Sequence, residues 1–135
     1  MVAENSPARD FDWAAGDLSQ ELNVLQRFYE KNYDIDTQPA TAGVESQGVN
    51  LLYAASGPPG LYGGGIVYKV RKRIAPVVAL YSPSSGASNN ASTGHGDTAV
   101  DVTGGGECGT NVETAGPPPP AGSVAAVMFT ADAEI

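Results

Sequence analysis

Apolar residues near the start of the chain recur with helical spacing. Leu18, Leu22, Leu25 and Tyr29 fall at i, i+4, i+7 and i+11, which places them on one stripe of a helix. The spacing predicts a helix over residues 17–34. Asp17 is placed to cap its first turn, and Gln20 stands where a capping-box partner reaches back. Glu21, Gln26, Arg27 and Glu30 cover the other faces. Glu30 and Lys31 are adjacent, so they form no i,i+4 pair. A helix this short is marginal in isolation, so its stripe must dock. Docking on the chain's own sheet and packing beside copies of itself around an axis both fit the pattern.

Beyond residue 34 the period changes from helical to β. Gln38-Pro39 stops a helix, because the residue before proline avoids the α region. Val49 to Tyr53 reads as a short strand, followed by a turn at residues 56–60. Residues 66–74 alternate: Ile66, Tyr68, Val70 and Ile74 share one face, and Lys69, Arg71 and Arg73 the other. Pro76 marks a bend or strand start. Val77 to Tyr81 has little polar face and reads as a buried or short strand. Residues 82–96 are polar and aperiodic, an expected exposed loop. Thr98 to Thr103 gives another strand, centred on Val100 and Val102. Residues 104–120, from Gly104-Gly105-Gly106 to the prolines at 117–120, read as irregular, with a polyproline run. Val124 to Ala131 closes the chain as a strand. No internal repeat is present. The expected fold is mainly β, a small jelly-roll-like β-sandwich with one short leading helix.

The 135 residues suit one domain, here residues 17–135, preceded by an extended arm over residues 1–16. Phe11 and Trp13 alternate around Asp12, so both can point one way from an extended segment. The arm either pins to its own domain or reaches a neighbouring subunit. The 17 glycines and 10 prolines fit short strands joined by many turns. A net charge of −8 argues against nucleic-acid binding, which needs cations to displace counterions. The single cysteine, Cys108, closes no internal disulfide. No apolar run approaches the roughly 20 residues of a membrane span. The start of the chain lacks the basic and apolar regions of a secretion signal.

Few residues point to chemistry. Cys108 and His95 both lie in glycine-rich stretches, which hold a nucleophile–base geometry poorly. His95, Asp97 and Asp101 have a permissive spacing for a cation, but such sets are common by chance. Gly63-Gly64-Gly65 and Gly104-Gly105-Gly106 lack the Lys-Ser/Thr of a phosphate loop, so turns and close backbone approach explain them better. No catalytic residue, cofactor or metal is expected. Lys69, Arg71, Lys72 and Arg73 are four of the seven basic residues. They form either a docking surface for an acidic neighbour or a solvated strand face that discourages edge pairing. Tyr53, Tyr62, Tyr68 and Tyr81 suit a core or interface, or a flat surface for sugar rings. Asn90-Ala91-Ser92 matches a glycosylation triplet, which matters only in a host that glycosylates such sites.

Three segments carry a resemblance. Glu21-Leu22-Asn23-Val24-Leu25-Gln26-Arg27-Phe28-Tyr29-Glu30-Lys31-Asn32-Tyr33 is a leucine-rich turn running into Gln-Arg, two aromatics, a charge and a further Tyr. Residues 67–86 hold a strand with Arg, then Ala75-Pro76, then an apolar strand ending in Tyr81-Ser82-Pro83-Ser84-Ser85-Gly86. The end is Phe129-Thr130-Ala131-Asp132-Ala133-Glu134-Ile135. In this order they resemble the C-terminal domains of tailed-phage fibre and spike proteins. Members often carry Cys where Leu25 stands. The resemblance implies a β-sandwich with a leading helix, found on virions and often trimeric, with no known ligand residue. Many relatives end a longer fibre; a free-standing version would be a fibre tip, a head spike, or a capsid or tail decoration protein.

The expectation is therefore a non-enzymatic virion component, assembled in the host cytoplasm as a homotrimer. Leu18, Leu22, Leu25 and Tyr29 would form the core or oligomer helix. Trp13, Lys69, Arg71 and Arg73 would contact other virion proteins. A host-surface glycan is a further partner; nucleic acid and membrane are not. The alternatives are a decoration protein that stabilises the particle and a carbohydrate-binding host-recognition module.

Overall fold

The computed structural model describes residues 18–54, 62–114 and 123–134. They form one helix, α1 (Leu18–Gln26), and eight strands. These are β1 (Tyr29–Lys31), β2 (Asn50–Ala54), β3 (Tyr62–Val67), β4 (Val77–Tyr81), β5 (Asn90–Thr93), β6 (Gly96–Gly105), β7 (Gly109–Thr114) and β8 (Val124–Asp132). The chain is mainly β, as its turn-rich composition predicts. Six strands pair in the order β8-β2-β3-β7-β6-β5 and return to β8, closing a barrel. Closure removes the open edges on which sheets aggregate. β1 and β4 lie outside the ring, on the far half of β8.

β8 is shared by four strands. Residues 124–127 pair with β2, and Ala125 and Ala126 pair also with β5. Residues 128–132 pair with β4, and residues 130–132 also with β1. A strand covered on both faces needs an unbroken apolar run. Val127-Met128-Phe129 supplies it, and all three are buried. Between the two halves, one flank of β8 has no strand beside it. The Asn32 side chain fills that gap. Its Nδ2 donates to the Val127 carbonyl at 3.3 Å, and its Oδ1 accepts the Phe129 N–H at 2.8 Å. One amide thus replaces a missing strand and satisfies both backbone groups.

Leu52, Ile66, Val100, Val112 and Val127 fill the barrel from β2, β3, β6, β7 and β8, with Tyr68 and Phe129 in the same cluster. Met128, on the opposite face of β8, joins Tyr33 and Val44 in a smaller second core. Gly64 faces inward, where an added Cβ would stand 2.9 Å from Leu52 Cδ2. The close approach expected of the Gly63–Gly65 run is therefore real at Gly64, although the run lies within a strand and not a turn.

Four expectations need correction. The helix ends at Gln26, not at residue 34. The Phe28 carbonyl accepts the Ala133 N–H at 2.6 Å, and Tyr29 pairs with Asp132. Sheet pairing of an aromatic, β-favouring stretch outweighs the local helix preference, so Tyr29 leaves the helical stripe. The strand expected over residues 66–74 ends at Val67. Beyond it the chain wraps the β6–β7 turn, with Lys72 N–H donating to the Glu107 carbonyl at 2.7 Å. Lys72 is buried there, and Ile74 is exposed. Residues 82–96 are no projecting loop: they hold β5, and Ser82 and Pro83 are buried. Gly86, at φ +76°, lies so close to the Ala40 carbonyl that a Cβ would collide with it. Finally, β7 occupies part of the stretch read as irregular. Phe11, Trp13 and the whole arm lie outside the described residues, as do the prolines at 117–120.

Asn32→Ala leaves the Val127 carbonyl and the Phe129 N–H without partners. The expected cost is about 1–3 kcal/mol, read as a lower urea midpoint at unchanged m-value. Asn32→Asp keeps the acceptor and loses the donor, and should fall between the two.

Candidate assembly face

α1 repeats its leucines at helical spacing, but the stripe does not lie on the barrel. Leu18, Leu22 and Leu25 are 62%, 49% and 62% exposed, and no residue of the helix is buried. Docking on the chain's own sheet is therefore overturned for the described residues. The barrel holds α1 at its C-terminal end through backbone carbonyls. The Gln26 carbonyl accepts a hydrogen bond from Lys72 Nζ. The Arg27 carbonyl accepts the Arg73 N–H at 3.1 Å.

Beneath the stripe runs a groove of about 730 Å³, walled by Leu22, Leu25, Phe28, Tyr29, Tyr33, Ile35 and Pro39. Lys31, Lys69 and Glu134 also line it. Lys31 Nζ donates to the carbonyls of Ile35 and Thr37, both at 2.7 Å, and stands 4.6 Å from the centre of the Tyr33 ring. These contacts shape the loop that carries Ile35, which is 84% exposed. Burial pushes the Tyr33 phenol well above its ordinary range, and neighbouring Tyr29 and Tyr81 push the same way. The Tyr33 phenol is therefore uncharged at any ordinary pH, and the charges at the groove belong to Lys31, Lys69 and Glu134.

The electrostatic centre is a buried ion pair. Lys72 Nζ lies 2.8 Å from Glu30 Oε2, with side-chain exposures of 0% and 3%. The Glu30 carboxylate also accepts the Lys69 N–H, at 3.1 and 3.2 Å to its two oxygens. The Lys72 ammonium stands 5.2 Å from the centre of the Tyr68 ring. Desolvation of two charges is costly, so the pair adds little net stability; removing one partner is what destabilises. The pair thus fixes where β1, the turn after β3 and the end of α1 meet.

Of the expected docking residues, Arg71 and Arg73 line one shallow surface pocket together with Arg27 and Glu107. Arg71, on the surface, donates through Nε to Glu107 Oε2 at 2.6 Å. The Arg73 guanidinium stands 5.8 Å from the centre of the Phe28 ring. Lys69 is a groove residue, and Trp13 lies outside the described residues. The Glu30–Lys72 pair has no sequence signature, because Lys72 reads as one more surface cation.

The residues weighed for chemistry are not brought together. His95 lies before β6 and Cys108 after it. Ten extended residues separate them by about 30 Å, so they form no nucleophile–base pair. Asp97 is engaged by the hydroxyls of Ser82 and Ser85. Among the described residues no group of three His, Cys, Asp or Glu could hold a metal ion, and no helix is long and apolar enough to cross a membrane. Of the tyrosines, Tyr68 belongs to the core and Tyr53 faces solvent.

Lys72→Met strands the Glu30 carboxylate and is expected to cost about 3–5 kcal/mol. Adding Glu30→Gln removes the stranded charge and should recover much of that loss, measured by urea unfolding as a double-mutant cycle. A double-variant loss equal to the sum of the Lys72→Met and Glu30→Gln losses would show that the two groups are not coupled.

Compared with known proteins, the chain matches no family model, no curated protein and no solved structure.

Proposed function

We propose that this chain is a non-enzymatic structural component of a tailed-phage virion, a fibre- or spike-type surface protein that self-associates through α1 as a homotrimer. The observation that carries the reading is the bare leucine stripe. Leu18, Leu22 and Leu25 are exposed, and helical stability in proteins comes mostly from packing of the apolar face. The apolar face of α1 therefore needs a cover, and copies of the same face around an axis supply one. The groove behind the stripe extends the apolar area through Phe28, Tyr29 and Ile35.

The virion assignment rests on the resemblance to phage fibre and spike domains. The jelly-roll-like sandwich is part of the same reading. Its support is β8, whose two halves join different groups of strands. In the virion, Lys69, Arg71 and Arg73 on the exposed turn would face other particle proteins, together with the segment bearing Trp13. Host attachment is the task of the surfaces left free. A decoration protein that stabilises a capsid or tail is the second reading, favoured by a barrel with no open edge in its ring.

Light scattering of the full chain after size exclusion tests the association. The expected mass is three times that of the 13.8 kDa chain. Leu22→Glu with Leu25→Glu should give a monomer that keeps its β circular dichroism. A wild-type monomer at tens of micromolar contradicts the reading. So does the chain's absence from purified particles of a phage that encodes it.

A further inference from the structure

A second surface lies on the barrel wall, formed by β2, β3 and β7 with β6 beside them. Strand pairing sets one continuous row across five strands: Val124, Tyr53, Gly63, Glu113 and Asp101. Tyr53 is 61% exposed. In the neighbouring row Gly65 pairs with Asn111, and Leu51 is exposed on the Tyr53 side. The outer face of β3 therefore has no side chain at either glycine. The floor is bare, with Tyr53 and Leu51 on one bank, Asn111 and Glu113 on the other, and Asp101 behind Glu113 on β6.

Among the described residues nothing demands this floor. A Cβ on Gly63 would meet nothing within 4 Å, and one on Gly65 only Asn111 Oδ1 at 4.0 Å. Neither glycine has the positive φ that would require it. Glycine inside a strand weakens the strand, and often marks a place where a ligand approaches the backbone. Asp101 and Glu113 sit directly opposite each other, an arrangement that disfavours pairing. Among the described residues, no hydrogen bond or ion pair engages the side chains of Tyr53, Asn111, Glu113 or Asp101. Two local rules of sheet stability are thus broken side by side, next to an exposed aromatic.

We infer that this trench binds a neutral pyranose of a surface glycan. Adjacent strands are about 4.8 Å apart, so the two banks stand about 10 Å apart across β3. That leaves room for one sugar ring over the glycines. The ring's C–H face carries slight positive charge and suits the negative face of the Tyr53 ring. Its hydroxyls donate to the Glu113 carboxylate, which only accepts, while Asp101 one strand further out adds negative charge behind it. The Asn111 amide both donates and accepts, matching hydroxyls in either sense. The acidic bank repels sialic and uronic acids, which sets the class as neutral. This inference gives the host-attachment part of the proposed function a site and a ligand class. It rests on the barrel wall alone, so its test is independent of association through α1.

The test is nuclear magnetic resonance of the full chain titrated with the methyl glycosides of glucose, galactose and mannose, and with N-acetylglucosamine. N-acetylneuraminic acid and a Lys/Arg-rich peptide are the controls. At least one neutral sugar should shift the Gly63, Gly65 and Asn111 signals at millimolar concentration, and the sialic acid should not. Tyr53→Ala should weaken that binding at least tenfold. Gly63→Thr should abolish it while leaving the melting temperature equal or higher, because a β-branched residue there meets open space. A melting temperature lowered by Gly63→Thr would assign the glycine to folding and overturn the inference. Silence toward all four neutral sugars would overturn it, as would shifts with the basic peptide alone. Failure here with an intact trimer leaves the assembly reading standing, and a sugar-binding monomer would do the reverse.

Discussion

The Glu30–Lys72 ion pair is the interaction on which the arrangement of the chain depends. It joins β1 to the turn after β3, and the same ammonium reaches the end of α1 at the Gln26 carbonyl. Two charges buried together stabilise little beyond what a well-packed apolar pair would. What they impose is geometry, since each charge is satisfied in one place only. With the end of α1 set there, the leucine stripe stands away from the barrel. The exposure of the helix is thus a consequence of how the interior is wired.

β8 supplies the other half of the architecture. It takes part in the barrel through its first half and carries β1 and β4 on its second. Asn32 makes this exchange possible by bonding the backbone where one flank changes partners. Asn32 and Glu30 are close in sequence, so one short segment serves both the ion pair and the strand exchange. The rest of the barrel wall carries little of this load. Its outer face is accordingly free to hold bare glycines and opposed carboxylates at β3, β6 and β7.

What could be read from the sequence follows from range. Period-two alternation is local, so Ile66 and Tyr68 were placeable in the core, as was the apolar run of β8. β2 and β4 were recognisable for the same reason. Thr110, Val112 and Thr114 alternate with Asn111 and Glu113, so β7 carried a legible signal that its glycine-rich surroundings obscured. The burial of Lys72 was not legible, because its partner lies 42 residues away and the stretch reads as a basic strand. Closure of the ring was not legible either, since it depends on β8 meeting both β2 and β5. The leucine stripe of α1 was plain from spacing, but which surface it faces is a matter of tertiary geometry. The trench needed the register itself: Tyr53, Gly63 and Glu113 are unrelated in sequence until β2, β3 and β7 align.

These features describe a barrel with its own buried core and one helix whose leucine stripe is left uncovered. The most direct measurement is hydrogen exchange of the α1 backbone amides across a range of protein concentrations. The account predicts that α1 protection rises steeply with concentration, while β8 stays protected throughout. Equal protection of α1 at high dilution and at high concentration would contradict it, because the helix would then be standing without a partner.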